Sequence, residues 1–162
     1  MSSWIGLVAR LVVGTVWVVA GALKLPDPAA TVRAVRAYQL LPEAIVPTVG
    51  HLLPLVEVAL GLCLLAGLLT RVAGTVSTLL LLAFVVGIAA AWARGLQIEC
   101  GCFGGGGAAA LDADPTAAYP WDIARDLALA AASAWLVVRP RTRLALDSLL
   151  LAPLPQPERP AR

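Results

Sequence analysis

Two cysteines one glycine apart, Cys100-Gly101-Cys102, open a glycine-rich stretch that continues Phe103-Gly104-Gly105-Gly106-Gly107. Thiols this close can exchange a disulfide. Residues two apart bring their alpha carbons within the range of about 4.4–6.8 Å that a disulfide tolerates, although the ring is tight. Strain raises the reduction potential, so such a bond suits exchange better than stapling, and Gly101 supplies the backbone freedom. The expected chemistry of Cys100 and Cys102 is therefore attack by one thiolate and resolution by the other. A loop-stabilising pair without redox chemistry is the plainer alternative. No metal site is expected, because Cys100, Cys102 and the lone His51 leave a zinc site one ligand short. The glycines from 101 to 107 neither follow a strand nor open a helix carrying Lys-Ser/Thr, so they do not make a phosphate loop.

The elements that must position these thiols are apolar. Sixty per cent of the 162 residues are hydrophobic and 14% charged, and the mean hydropathy is +0.86. That composition is outside the soluble globular range and implies a chain embedded in the lipid bilayer. About 20 apolar residues cross a bilayer as a helix, and four runs approach that length: 4–23, 44–70, 72–93 and 121–138. Ala20-Gly21-Ala22 resembles a leader-cleavage site, but no basic segment precedes the first run and Arg10 interrupts it, so a retained span is expected. A net charge of +2 without a basic face excludes nucleic acid as a partner.

The expected fold is all-α, an integral-membrane antiparallel four-helix bundle. A short interfacial helix is expected between spans one and two, where Asp27 can cap, Pro28 can start and Pro42 can stop a helix bearing Arg33 and Arg36 one turn apart. Residues 1–143 form the membrane domain and 144–162 a cytoplasmic tail, disordered from about residue 153, where proline and charge dominate. Arg71, Arg139, Arg141, Arg143, Arg159 and Arg162 share one face, against Lys24, Arg33, Arg36 and Arg94 on the other. This bias puts both termini in the cytoplasm and the thiol loop outside, where disulfides persist. Cys63 then lies most of a bilayer away and is expected to be a packed apolar residue.

Charges within the spans form a second constellation. Arg10, Glu57, Arg125 and Asp126 are costly in hydrocarbon and must face the interior, a cavity or the interface. His51, Arg125 and Asp126 are expected in the outer half of the bundle, beneath the thiol loop. Arg125 paired with Glu57 or Asp126 would lock helices together, while Arg10 would reach for the inner surface. His51 could accept a proton from a thiol or quinol, or make a polar contact at a helix end. Pro54 should kink span two near Glu57.

In order along residues 5–138, several pieces resemble the MauE/DoxX-like membrane proteins, the MauE branch most closely. They are Arg10 with Gly14, Ala20-Gly21-Ala22-Leu23-Lys24-Leu25-Pro26-Asp27-Pro28, Tyr38-Gln39-Leu40-Leu41-Pro42, Leu53-Pro54-Leu55-Val56-Glu57 with Gly61, Arg94-Gly95, Cys100-Gly101-Cys102-Phe103-Gly104 and Arg125-Asp126-Leu127. The cysteine element is the most specific. The resemblance implies a redox-associated protein of the bacterial inner membrane, an accessory factor in methylamine metabolism that acts with a thioredoxin-like partner while a client enzyme acquires its disulfides. DoxX-type relatives imply thiol, thiosulfate or oxidative-stress systems. A component of a thiol-disulfide oxidoreductase with a membrane quinone as electron acceptor is one expectation; a non-enzymatic scaffold for a partner protein, or a small-molecule transporter built around Glu57, is the alternative.

Overall fold

The computed structural model of the chain describes residues 2–99, 107–108 and 118–139. Cys100, Cys102 and the tail from residue 140 lie outside the described residues. Among the described residues the fold is all-helical apart from one two-residue ladder. The elements run α1 (Ser2–Lys24), α2 (Pro28–Ala37), α3 (Val46–Ala66), α4 (Thr70–Ala93), β1 (Ile98–Glu99), β2 (Gly107–Ala108) and α5 (Tyr119–Val138). Among the described residues, Trp4–Lys24, Val46–Ala66 and Thr70–Ala93 are long and apolar enough to cross a membrane. α5 has 20 residues, about 30 Å of helix. Asp122, Arg125 and Asp126 near its start make it the most polar of the long helices.

Each long helix presents a stripe at alternating three- and four-residue spacing. On α1 the stripe is Arg10, Val13, Trp17, Ala20 and Lys24, and on α3 it is Gly50, Pro54, Glu57, Gly61 and Leu64, all buried. Such spacing keeps one face of a helix turned to its neighbours. Large apolar side chains such as Trp4, Val8, Leu55, Leu79 and Val86 point outward instead, which suits lipid as the surrounding solvent.

α1 and α3 run antiparallel and approach closely through glycine. A side chain at Gly61 would begin 2.7 Å from both the Gly14 carbonyl oxygen and the Val18 nitrogen, and one at Gly21 would begin 2.7 Å from the Pro54 carbonyl oxygen. α4 and α5 also pack antiparallel, with Gly74 facing the Ser133 carbonyl. Between the pairs, Trp17 Nε1 donates to Ser77 Oγ at 2.7 Å, and Ser77 and Ser133 hydroxyls meet at 2.9 Å. The indole thus joins α1 to α4 through the hydroxyl pair that also joins α4 to α5.

Span two ends earlier than its apolar run suggests. Gly67 adopts the left-handed conformation at φ 69°, returning its N–H to the carbonyls of Cys63 and Leu64. Glycine pays no steric penalty there, so the helix closes at Ala66 and the turn falls at 67–69. Thr70 and Arg71 consequently begin α4, so the break between the second and third apolar runs lies at 67–69 and not at residue 71.

α2 starts where Asp27 and Pro28 place it, but ends at Ala37, before the stop expected at Pro42. Asp27 Oδ1 accepts the Ala30 N–H at 2.9 Å, and Pro28 supplies the fixed φ of a first helical residue. Thr31, Val32 and Ala34 are its buried face, and Gly50 of α3 lies flush against Val32. On its exposed side Arg36 Nε donates to both oxygens of Glu43 at 3.0 Å. The Glu43 carboxyl is held below the ordinary glutamate range chiefly by that bond. Asp27 is held low first by the Ala30 N–H and then by Arg33.

Two outcomes follow. Gly61→Val should cost about 1–3 kcal/mol, because the α1–α3 approach leaves no room for it, whereas Gly87→Ala, with nothing nearer than 3.5 Å, should be neutral or gain up to about 1 kcal/mol; SDS titration of the purified protein followed by circular dichroism compares them. Since Glu43 and Asp27 have lowered folded pKa values, their contribution is complete above the unfolded values and disappears as pH falls through the folded ones. Protection factors of the α2 amides, which take out the intrinsic pH dependence of exchange, should therefore fall on acidification below the carboxylate range. Arg36→Gln should remove the Glu43 share of that dependence, and Asp27→Asn, which still caps, the remainder.

Candidate functional site

One end of the molecule collects the C-termini of α1 and α4, the N-termini of α3 and α5, all of α2 and the β ladder. Two groups of charges lie below its surface. In the first, Lys24 Nζ sits 2.6 Å from Glu57 Oε1, with the two side chains 6% and 0% exposed. Lys24 is the last residue of α1 and could have turned to water. Side chains lean toward the N-terminus of their helix, however, so its four-carbon stem runs inward along the stripe and meets Glu57 on α3. Its ammonium also lies 6.0 Å from the centre of the Phe84 ring. Glu57 Oε2 is buried without a hydrogen-bond partner among the described residues.

The second group belongs to α5. Arg125 Nη1 is 3.0 Å from Asp122 Oδ1, while Nη2 and Nε donate to Asp126 Oδ1 at 3.0 and 3.1 Å. Asp126 is buried, its Oδ2 has no hydrogen-bond partner among the described residues, and it lies within electrostatic reach of Lys24. A cleft of about 20 Å³ bordered by Arg125, Asp126, Trp17 and Phe84 separates this group from α1 and α4. That is about the space of one water molecule. Phe84 faces both charge groups and divides them.

Above the charges, Tyr119 holds the backbone at Leu96 and Ile98, shortly before the cysteine segment in sequence. The side chain is 1% exposed, and its hydroxyl accepts the Ile98 N–H at 2.9 Å while lying 2.7 and 2.9 Å from the Leu96 and Ile98 carbonyl oxygens. Ile98 pairs with Ala108 and Glu99 with Gly107. Ile98, Tyr119, Ile88 and Ala91 form a small core under this ladder, with Tyr38 packed against it. Arg94 ties the same region to α2, donating to the Tyr38 carbonyl at 2.6 Å and the Gln39 carbonyl at 3.4 Å. Cys100 follows Glu99 directly in sequence.

Several expectations change in this light. Arg125 and Asp126 do come together, but within one helix, and the cross-helix lock on Glu57 is Lys24. His51 is exposed on α3, its Nδ1 2.6 Å from the Pro47 carbonyl oxygen, a contact near the start of its own helix; it does not join Arg125 and Asp126. Arg10 is 2% exposed. It does not reach for the membrane surface, because its position on the α1 stripe turns it inward. Cys63 is a free thiol packed against the main core beside Leu60. Lys24 and Tyr119 were not recognised as site residues from sequence. The signal for Lys24 was its place one step beyond Val13, Trp17 and Ala20; Tyr119 had none, since its partners are carbonyls of a distant loop.

Lys24→Met alone should lose about 3–5 kcal/mol of stability, because it strands the Glu57 carboxylate in the interior. Replacing both, Lys24→Met with Glu57→Met, should restore most of it. Unfolding in SDS of the two variants beside wild type tests this, and equal losses would show that the pair is not coupled.

A family model described as methylamine utilisation protein MauE matches residues 2–139. No curated protein and no solved structure matches the chain. The match takes in α1, α3, α4 and α5, the charge groups they carry and the cysteine segment between α4 and α5. With its long apolar helices and a match over nearly its whole length, this chain is a multi-pass membrane protein and belongs to the MauE family.

Proposed function

We propose that this protein is a redox-associated membrane accessory factor whose Cys100 and Cys102 exchange a disulfide with an extracytoplasmic thioredoxin-like protein or with a client enzyme of the methylamine-dehydrogenase type. In this reading α1, α3, α4 and α5 form an antiparallel four-helix bundle in the bacterial inner membrane. Residues 1–143 make up the membrane domain and 144–162 a cytoplasmic tail. α2 lies at the outer surface, both termini are cytoplasmic and the thiol loop is extracytoplasmic. The burial of Lys24 supports that orientation: with its charge spent on Glu57, the outer face keeps only Arg33, Arg36 and Arg94 in the count of basic residues.

The observation that carries the proposal is the Tyr119-bound ladder. It brings the chain entering the cysteine segment and the chain leaving it together at Ile98 and Ala108. A redox pair must meet a partner's disulfide in line, so its loop needs a firm base and a free approach. In the exchange, a thiolate of the pair attacks a partner disulfide and releases one partner thiolate. The second cysteine then attacks the mixed disulfide, leaving the partner as a dithiol and Cys100-Cys102 oxidised. Run in reverse, the oxidised pair takes two electrons from a client dithiol, which keeps the new disulfide. A membrane quinone, when bound, supplies the sink for those two electrons and two protons. Of the two arginines considered for favouring the thiolate, Arg94 is the one this reading keeps, because the charge of Arg125 is already answered by Asp122 and Asp126. Glu57 and Asp126 keep Lys24 and Arg125 in place, and His51 contributes a polar contact at the start of α3.

Of the single variants Cys100→Ser and Cys102→Ser, the one that keeps the attacking thiol and lacks the resolving one should accumulate mixed disulfides with the partner, the other should not, and the double variant should leave client thiols reduced. A membrane-impermeant thiol reagent should label the pair in intact cells only after reduction. Unchanged client oxidation in the double variant, or labelling only after the cells are broken, would sink the proposal.

A further inference from the structure

A cavity of about 320 Å³ lies between α2, the first half of α3 and the second half of α4. Except for Lys24, Thr31 and Tyr38, its lining residues are apolar, and Lys24 is the charged group among them. Phe84 and Tyr38 give it aromatic walls, and Gly87 leaves the α4 wall flat. Binding pockets for small molecules run from about 300 to 1,000 Å³. This cavity therefore holds a single ring-sized head rather than a whole lipid. α3 and α4 touch over a shorter stretch than α1 and α3 or α4 and α5, so an apolar tail can pass between them into the bilayer.

The charges choose the head. An ammonium has three donors, and the bond described for Lys24 uses one, on Glu57 Oε1. An anionic head reaching Lys24 would meet the Glu57 carboxylate, with Asp126 also in range, and a cationic head would meet Lys24 itself. A neutral carbonyl oxygen accepts an N–H and leaves the charge balance unchanged. We propose that this cavity binds the flat, neutral, carbonyl-bearing head of a lipid-soluble molecule of the quinone class, with Lys24 Nζ donating to one carbonyl oxygen and Phe84 and Tyr38 against the ring. The inference rests on the quinone part of the reading above, but on none of its cysteine chemistry.

The test uses the full chain in phosphatidylcholine nanodiscs, photolabelled with an azido-ubiquinone and mapped by mass spectrometry. Label should fall on residues 38–41 or 80–87, and excess decylubiquinone should compete for it while decanoate should not. Gly87→Leu fills the cavity from a position with room for a side chain, and should cut labelling by about tenfold or more. The charge-neutral pair Lys24→Met with Glu57→Met should lower it by about tenfold, the worth of one hydrogen bond. Label spread over the lipid-facing sides of the helices, or indifferent to Gly87→Leu, would overturn the site. Better competition by decanoate, or no effect of the Lys24 and Glu57 pair, would overturn the neutral-carbonyl assignment. Cys100→Ser with Cys102→Ser should label like wild type, so lost client oxidation with intact labelling counts against the thiol reading alone. Lost labelling with intact client oxidation counts against the cavity alone.

Discussion

A lysine buried at the end of a membrane helix must be answered by a carboxylate, and Glu57 answers Lys24 at 2.6 Å. Much of the described structure is arranged around that requirement. The ion pair joins α1 to α3 only because the two helices approach at Gly14, Gly21 and Gly61, where backbone rather than side chain forms the contact. Intramembrane pairs of this kind cost desolvation and add little net stability. What they supply is register: sliding α1 by one turn would leave two charges in hydrocarbon with no partner.

The same economy governs α5. Asp122 and Asp126 are drawn in around Arg125, which lets the most polar of the long helices pack along α4 and α1. Mid-bundle, the Trp17–Ser77–Ser133 contacts satisfy one indole and two hydroxyls without any charge. Polar groups thus sit in layers with apolar packing between them. The charged layer nearest the ladder borders both the small cleft at Asp126 and the larger cavity beside α2. Phe84 lines both spaces.

Tyr119 and Arg94 explain how the chain between α4 and β1 and the chain that ends α2 are held in place. Both side chains direct their polarity to backbone: Arg94 to the carbonyls of Tyr38 and Gln39 just past α2, and Tyr119 to those of Leu96 and Ile98 in the chain that follows α4. Helix ends leave such carbonyls without partners. Closing them with side chains joins α2, α4, α5 and the ladder into one rim.

Much of this was legible in the amino-acid order. The apolar runs identify the membrane helices, Asp27-Pro28 marks the start of α2, and the spaced pieces from Arg10 to Asp126 point to the MauE family, because these signals are local or depend only on the order of residues along the chain. The end of α3 at Gly67 was equally local, and was obscured by an apolar run that continues past it. Which charge meets which was not legible. Lys24 read as a basic residue of the outer face, Arg125 as a partner for either Glu57 or Asp126, His51 as gathered with Arg125 or as a polar contact at a helix end, and Arg10 as turned inward or reaching for the membrane surface. Those choices depend on helix rotation and on how closely two backbones approach, and glycines on separate helices decide both. Sequence therefore determined that the spans carry charges needing partners; the tertiary structure alone decided the partners, because a pairing of 2.6 Å is set by distances between helices that no single helix contains.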